Sequence, residues 1–264
     1  MSSSLQMTGN TDTGMVREHN EDCFLMLPES GIAILADGMG GHLAGEVASA
    51  MAIDRVKQSL LNAFADARAA KPASAHDTSF ESTALVKAIQ DANAAIHQAS
   101  MSQAEQAGMG TTIVVAVFHD KTLTVAHVGD SRLYRSRRGV LSQITEDHSM
   151  VQELLRRGLM TPEEARTSLN RNLVTRALGI DPLVEVDVFQ QTFEDGDVYL
   201  LCSDGLNDVL LDEEIAGILA QHPDDQESAI RQMIAAVNAR GGPDNVSIVL
   251  IRTDGRFART PMAS

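Results

Sequence analysis

The chain of 264 residues contains no Trp, 2 Tyr and 7 Phe, and its 21 Lys and Arg are outnumbered by 36 Asp and Glu, for a formal net charge of −15. Each shortage excludes something. A protein that grips a nucleic-acid backbone needs a cationic face that releases counterions, and one that holds single-stranded bases needs aromatic platforms. Nucleic acid and anionic membrane are therefore poor partners. The longest unbroken apolar run, Ile113 to Phe118, falls far short of the roughly 20 residues that span a bilayer. Residues 1–7 have neither the basic region nor the apolar stretch of a signal peptide, so a cytoplasmic address is expected. Only two cysteines are present. Cys23 and Cys202 each sit in an apolar run, which predicts buried reduced thiols and no disulfide framework.

What is there suits a packed globule: 44% apolar and 22% charged residues, in a length that fits one large domain or two small ones. Apolar runs bounded by Gly, Asp and Pro predict strands over 23–27, 32–36, 111–118, 122–128, 132–135, 184–193, 197–202 and 246–252. Several are apolar at consecutive positions, which requires cover on both faces. His119-Asp-Lys121 is short enough to join its neighbours as a hairpin. Stripes of 3.6 periodicity predict a helix through Val47, Met51, Val56, Leu60 and Phe64 and a second through Leu85, Ile89, Ala92 and Ile96. Ser149 reads as the N-cap of a helix over 150–157 that stops at Gly158. Thr161-Pro-Glu-Glu164 reads as a capping box opening the next. Further helices are predicted over 212–221 and 226–239, the latter ended by Gly241-Gly242. The Ala- and Ser-rich stretch 67–82 is expected to be a surface loop, and 255–264 a flexible tail. No internal repeat or domain linker appears. Helices come in pairs between groups of strands, which favours a layered sandwich over a doubly wound sheet.

The acids are not spread evenly. Ile32-Ala-Ile-Leu-Ala36 runs into Asp37-Gly-Met-Gly-Gly-His42, Val198-Tyr-Leu-Leu-Cys202 into Ser203-Asp204-Gly205, and Thr124-Val-Ala-His-Val128 into Gly129-Asp130-Ser131-Arg132; Asp244-Asn245 precedes the last strand, and Arg17-Glu-His-Asn-Glu21-Asp22 the first. One Asp-Gly is ordinarily a hairpin turn. Here two further glycines and His42 lead into a helix, so the functional reading is a carboxylate displayed at a strand end. Carboxylates converging from several strand ends repel one another unless cations sit among them, and an all-oxygen set selects magnesium or manganese. Two such ions support in-line displacement at phosphorus, which makes phosphate-ester hydrolysis the natural chemistry. Neither cysteine has a metal-spaced partner, which argues against zinc. His42 and Glu46 are either half a zinc site or surface neighbours.

Together with Thr11-Asp-Thr-Gly14, Gly110-Thr-Thr112, Thr145-Glu-Asp-His-Ser149 and Thr175-Arg-Ala-Leu-Gly179, these motifs occur in the order seen in bacterial metal-dependent protein phosphatases of type 2C (the PPM family), which the chain resembles over roughly residues 8 to 252. The resemblance implies an α+β four-layer sandwich, with two central antiparallel β-sheets flanked by pairs of α-helices. It implies a single catalytic domain over 1–254 with a flap subdomain at about 147–181, and a binuclear Mn2+ or Mg2+ centre. Asp37 would bridge the ions. Asp204 and Asp244 would complete the first site, Glu21 and the Gly38 carbonyl would support the second, and Asp22 would hold a water. Asp130 would join Asp204 at a third ion, or else cap the Ser131-Arg132 turn.

Arg17 would grip the substrate phosphate through its guanidinium fork; the alternative is a surface salt bridge with Glu18 or Glu21. A hydroxide bridging the ions would attack phosphorus. The general acid is open: animal relatives carry His directly after Asp-Gly, where this chain has Met39, and His42 either serves as the acid or orients the turn. The flap carries Arg156, Arg157, Arg166, Arg171 and Arg176, a basic patch suited to phosphorylated segments. The implied function is a cytoplasmic, monomeric serine/threonine phosphatase in signalling that acts on phosphoproteins, including a Ser/Thr kinase and its targets.

Overall fold

The computed structural model describes residues 5–41, 43–69, 79–255 and 257. In chain order its strands are β1 (Leu5–Asp12), β2 (Asp22–Leu27), β3 (Ile32–Met39), β4 (Gly110–Thr111), β5 (Ile113–His119), β6 (Thr122–Val128), β7 (Arg132–Arg137), β8 (Val140–Gln143), β9 (Asp187–Thr192), β10 (Val198–Cys202) and β11 (Val246–Thr253). Its helices are α1 (Ala44–Ala69), α2 (Ser79–Ser102), α3 (Met150–Arg156), α4 (Pro162–Thr167), α5 (Asp204–Asn207), α6 (Asp212–Gln221) and α7 (Gln226–Ala239).

The strands form two sheets, ordered β1-β11-β10-β7-β8 and β2-β3-β5-β6-β9, with β4 added beside β3. Every pairing within them is antiparallel. The consecutive apolar runs explain why both faces of each sheet are covered. In β3, Ile32, Ile34 and Ala36 pack with Val56, Leu60, Leu85 and Ile89 of α1 and α2. The alternate Ala33 and Leu35 turn inward against Tyr199, Leu201, Val249 and Ile251 of the other sheet. In β10 and β11, Leu200, Cys202, Ile248 and Leu250 face outward onto Ile215, Ile230, Met233 and Val237 of α6 and α7. Period-2 alternation with apolar residues on both faces therefore yields the expected helix, sheet, sheet, helix layering.

Local signals are met where the chemistry is local. Ser149 caps α3 by accepting from Gln152 N–H, and Thr161 with Glu164 forms a reciprocal capping box. The 119–122 hairpin closes with Asp120 at φ 49°. Other elements differ. Strand β1 pairs along its whole length with β11, yet its polar sequence gives little alternation to read. The expected strand 111–118 breaks at Thr112: its N–H still donates to Asp37 O at 2.8 Å, but Asp37 N–H donates to the Thr112 hydroxyl at 3.1 Å and not to its carbonyl. The expected strand 184–193 shortens to β9, its start spent on Val184 and Val186 packing beneath α2. Helix α1 runs to Ala69 and α2 begins at Ser79, so the ends of the expected loop are helical and its middle lies outside the described residues. Within the expected tail, Phe257 is buried between the sheets and its N–H donates to Asp120 O. Cys202 is buried, Cys23 only half so, and both are free thiols.

Candidate metal centre

The acidic motifs meet at one end of the sandwich. Antiparallel β2 and β3 set Asp22 directly opposite Asp37, and Gly38 N–H donates to Glu21 O at 3.1 Å. A Cβ on Gly38 would stand 2.1 Å from Gly45 O and 2.7 Å from Glu21 O, and one on Gly45 would stand 2.5 Å from Glu21 Oε1. Only glycine lets the start of α1 press the Glu21 side chain against the end of β3.

The second sheet supplies the opposite wall. The chain leaves β10 through Ser203 into the single turn α5, headed by Asp204, and enters β11 through Asp244-Asn245. A Cβ on Gly205 would lie 1.9 Å from Asn245 O, so the two segments touch backbone to backbone. Asn245 ties the sheets together: its Nδ2 donates to Thr13 O and His19 O, both at 2.9 Å, and its Oδ1 accepts from Glu21 N–H at 2.9 Å. Ser203 Oγ donates to Asp22 Oδ2 at 2.7 Å and accepts from Ser247 N–H at 3.0 Å.

Asp130 enters from the end of β6, after Gly129 at φ 105°. Buried Thr112 bridges this turn to β3, accepting from Asp37 N–H at 3.1 Å while its hydroxyl lies 2.7 Å from Ser131 Oγ.

Burial and mutual repulsion dominate the electrostatics. The Asp37 carboxyl is pushed well above the usual range, first by burial and then by Asp22, Asp204 and Asp130; Asp204 is pushed likewise, by burial and then by Asp130 and Asp208. Asp130 rises to about 7, by burial and then Asp147. Asp22 rises to about 6, burial outweighing the hydrogen bonds from Ser247 and Ser203. Burial raises Glu21 as well, against the pull of Arg17. Glu21 Oε1 and Asp22 Oδ1 are buried without a hydrogen-bond partner among the described residues. A set of crowded carboxylates with orphaned oxygens is what a hard divalent cation satisfies. The residues present therefore fit Mn2+ or Mg2+.

The remaining expectations separate. Arg17 pairs with neither Glu18 nor Glu21: its Nη2 donates to Asp244 Oδ2 at 2.7 Å, from a side chain 50% exposed at the rim. That contact raises the Arg17 pKa further. His42 lies outside the described residues, and so does the side chain of Arg166. The flap arginines are partly neutralised: Arg176 by Asp187 at 2.7 Å, Arg171 by Asp208 at 3.5 Å, and Arg157 by Glu153 at 3.8 Å. Under the flap lies a cavity of about 350 Å³ lined by Asp130, Asp204, Asp208, Asp147 and Arg171 among others. Sequence reasoning missed Asp208, although its place four residues after Asp204, on the same turn, was a signal. Its N–H donates to Asp204 O at 2.8 Å, and its own pKa is raised by burial against Arg171 and Arg132.

The profile of the family described as Protein phosphatase 2C matches residues 36–246, from the last residue before Asp37 to the first of β11. The chain belongs to the protein phosphatase 2C family. It is 40% identical over 247 residues to the serine/threonine phosphatase stp of Listeria monocytogenes, covering 92% of this chain and 94% of that one. The crystal structure of the serine/threonine phosphatase Stp1 of Staphylococcus aureus superposes with a TM-score of 0.83 at 35% identity, over 97% of both chains. The catalytic domain of the phosphatase PstP in complex with 2 manganese ions superposes with a TM-score of 0.77 at 36% identity, over 96% of this chain and 100% of that one. This type 2C protein is thus an enzyme, a metal-dependent serine/threonine phosphatase of the bacterial kind. Among its described residues no helix is long and apolar enough to cross a membrane.

Proposed function

We propose that the enzyme acts on phosphoserine and phosphothreonine in proteins through a centre of two divalent cations, which Asp37, Asp204, Asp244, Glu21 and the Gly38 carbonyl would hold. Manganese or magnesium fits this oxygen set, and Asp130 with Asp204 would hold a third ion. The observation that carries the reading is the convergence of half-buried Glu21, Asp22, Asp37 and Asp204 with buried Asp130 in one cluster, where desolvation and mutual repulsion raise every one of their pKa values. Bound cations supply an activated water at neutral pH and offset the charge that develops on the phosphoryl oxygens.

The chain's own residues do the rest. Asp22 is oriented by Ser203 and presents its free oxygen to water. Arg17, exposed at the rim, presents a planar fork to two phosphate oxygens and holds the phosphoryl group in line. In this reading residues 1–254 act as one catalytic domain, with 147–181 as a flap over the substrate entrance. The enzyme works in the cytoplasm as a monomer and reverses the action of a Ser/Thr kinase in signalling. His42 is the residue whose replacement decides whether a side chain protonates the leaving oxygen.

The test is manganese-dependent phosphate release from a phosphothreonine peptide and from an aryl phosphate, by wild type and Asp204→Asn. The reading expects wild type to turn over both. It expects Asp204→Asn to lose about a thousandfold, the scale of the several kcal/mol that metal charge neutralisation contributes. Wild type that cleaves only the aryl ester would remove the protein substrate, and an active Asp204→Asn would remove the centre.

A further inference from the structure

Among the described residues, His127, His148 and Asp187 form a second group of titratable side chains, whose donor atoms lie within 4.8 Å of one another. It is not built for a metal. Gly129 N–H donates to His148 Nδ1 at 3.0 Å, so Nδ1 carries no proton and the neutral ring holds its proton on Nε2. Nε2 faces Asp187 Oδ2 at 3.3 Å, with Arg176 Nη1, itself a donor to Asp187, 3.1 Å away. A cation would have to strip that proton and displace Arg176 Nη1, which donates to Asp187 Oδ1 at 2.7 Å. Burial, followed by His127 and Arg176, keeps the His148 pKa low, in keeping with a neutral ring.

What the ring does hold is the turn that carries Asp130. Gly129 gives its N–H to the His148 ring, and its carbonyl accepts from His148 N–H at 3.0 Å. Both polar groups of one glycine are thus fixed by one residue, and that carbonyl belongs to the peptide leading into Asp130. Gly129 sits at φ 105°, and a Cβ there would lie 2.6 Å from Thr112, so the turn requires glycine. The ring is itself fixed on its flat face by His127, stacked at 4.7 Å and 17°, and at its edge by Asp187, which pairs with His127 across β6 and β9. His148 also closes the base of the flap. Its carbonyl accepts from Thr175 N–H at 2.8 Å, and Met150 N–H donates to Leu173 O at 2.9 Å one step further out.

We infer that His148 is a positioning residue that clamps the Gly129–Asp130 peptide to the base of the flap and so presents Asp130 to a cation. The inference rests on the reading of Asp130 as a ligand of the third, weaker ion. Replacing such an outer support costs metal affinity about 10- to 100-fold while leaving the ligands themselves in place.

The test is calorimetric titration of the full-length enzyme with Mn2+, alongside kcat and KM for an aryl phosphate. His148→Leu removes the acceptor for Gly129 N–H, whereas the amide oxygen of His148→Asn can replace Nδ1. The expected result is unchanged tight binding in both variants. The weak-site midpoint should rise about tenfold or more and kcat should fall at constant KM in His148→Leu, with His148→Asn returning to within about threefold of wild type. If His148→Leu does not fold, Asp187→Ala decides the matter: it removes the acceptor for Nε2 from a 43% exposed side chain and should shift the same midpoint in the same direction. Weak-site affinity that is unmoved in these variants, while Asp130→Asn abolishes it, overturns the clamp alone. Weak-site affinity unmoved in Asp130→Asn overturns the reading of Asp130, and the clamp with it.

Discussion

Ser203 at the end of one sheet donates its hydroxyl to Asp22 at the start of the other, across 2.7 Å of space and 181 positions of sequence. That bond fixes the relative offset of the two sheets where the acids meet, and it is one of the few donors the cluster receives. Ser203→Ala leaves Asp22 Oδ2 without it. We expect a folded protein destabilised by about 1 kcal/mol, the usual size of one such bond, with weaker Mn2+ binding and a further rise in the Asp22 pKa. Carbon-detected titration of the Asp22 carboxyl in the metal-free protein checks the shift, and an unchanged titration would show that the serine does not support it.

Metal-free protein should grow more stable as pH falls. Asp22 and Asp130 have folded pKa values of about 6 and about 7, above their usual 3.8. Between those limits the folded state binds more protons than the unfolded one, and stability therefore declines as pH rises through that window. In excess chelator we expect a gain of about 4 kcal/mol from these two carboxyls in going from pH 8 to pH 5, abolished by saturating Mn2+. Urea melts at the two pH values decide it, and a stability that rises with pH would contradict the assigned charges.

Asp204→Asn should separate stability from function. Removing one of several repelling buried carboxylates relieves the fold, so in chelator the variant should be more stable by about 1–2 kcal/mol while binding Mn2+ poorly. Thermal melts with and without Mn2+ should cross over: the variant melts higher in chelator, wild type higher with metal.

Much of the fold could be read because its signals are local. Two-faced apolar strands announced covered sheets, and Ser149 and Thr161 marked helix starts within a few residues. Strand β1 was hidden because its polar residues are ordered by pairing with β11 at the far end of the chain, which no local pattern encodes. The acids Asp37, Asp204 and Asp244 were legible because each stands beside glycine or asparagine at a strand end. Arg17 was assigned as a phosphate contact, but its partner Asp244 lies 227 positions away. His148 was visible only as part of a motif, because its work depends on the tautomer set by Gly129 N–H.

Gly205→Ala tests the close packing that sets Asp204. Its Cβ would meet Asn245 O at 1.9 Å, and a backbone carbonyl cannot swing aside as a flexible side chain does. We expect a loss of about 1–3 kcal/mol in stability and a fall in turnover with Asp204 itself intact, measured by urea melts and phosphate release. Wild-type behaviour would mean that the contact relaxes freely.

Arg17→Lys keeps the charge and removes the fork. With the centre held by carboxylates, Mn2+ affinity should stay within about threefold, whereas kcat/KM should fall about 10- to 100-fold through the loss of bidentate phosphate contact. Equal losses in metal affinity and turnover would instead make Arg17 a partner of Asp244 alone.

The central claim is that the buried acids exist to hold divalent cations, and calorimetric titration of wild type and Asp37→Asn with Mn2+ tests it most directly. The account predicts two tight ions in wild type and loss of tight binding in Asp37→Asn, with circular dichroism unchanged. Equal stoichiometry and affinity in the two proteins, or no manganese binding by wild type, would contradict it.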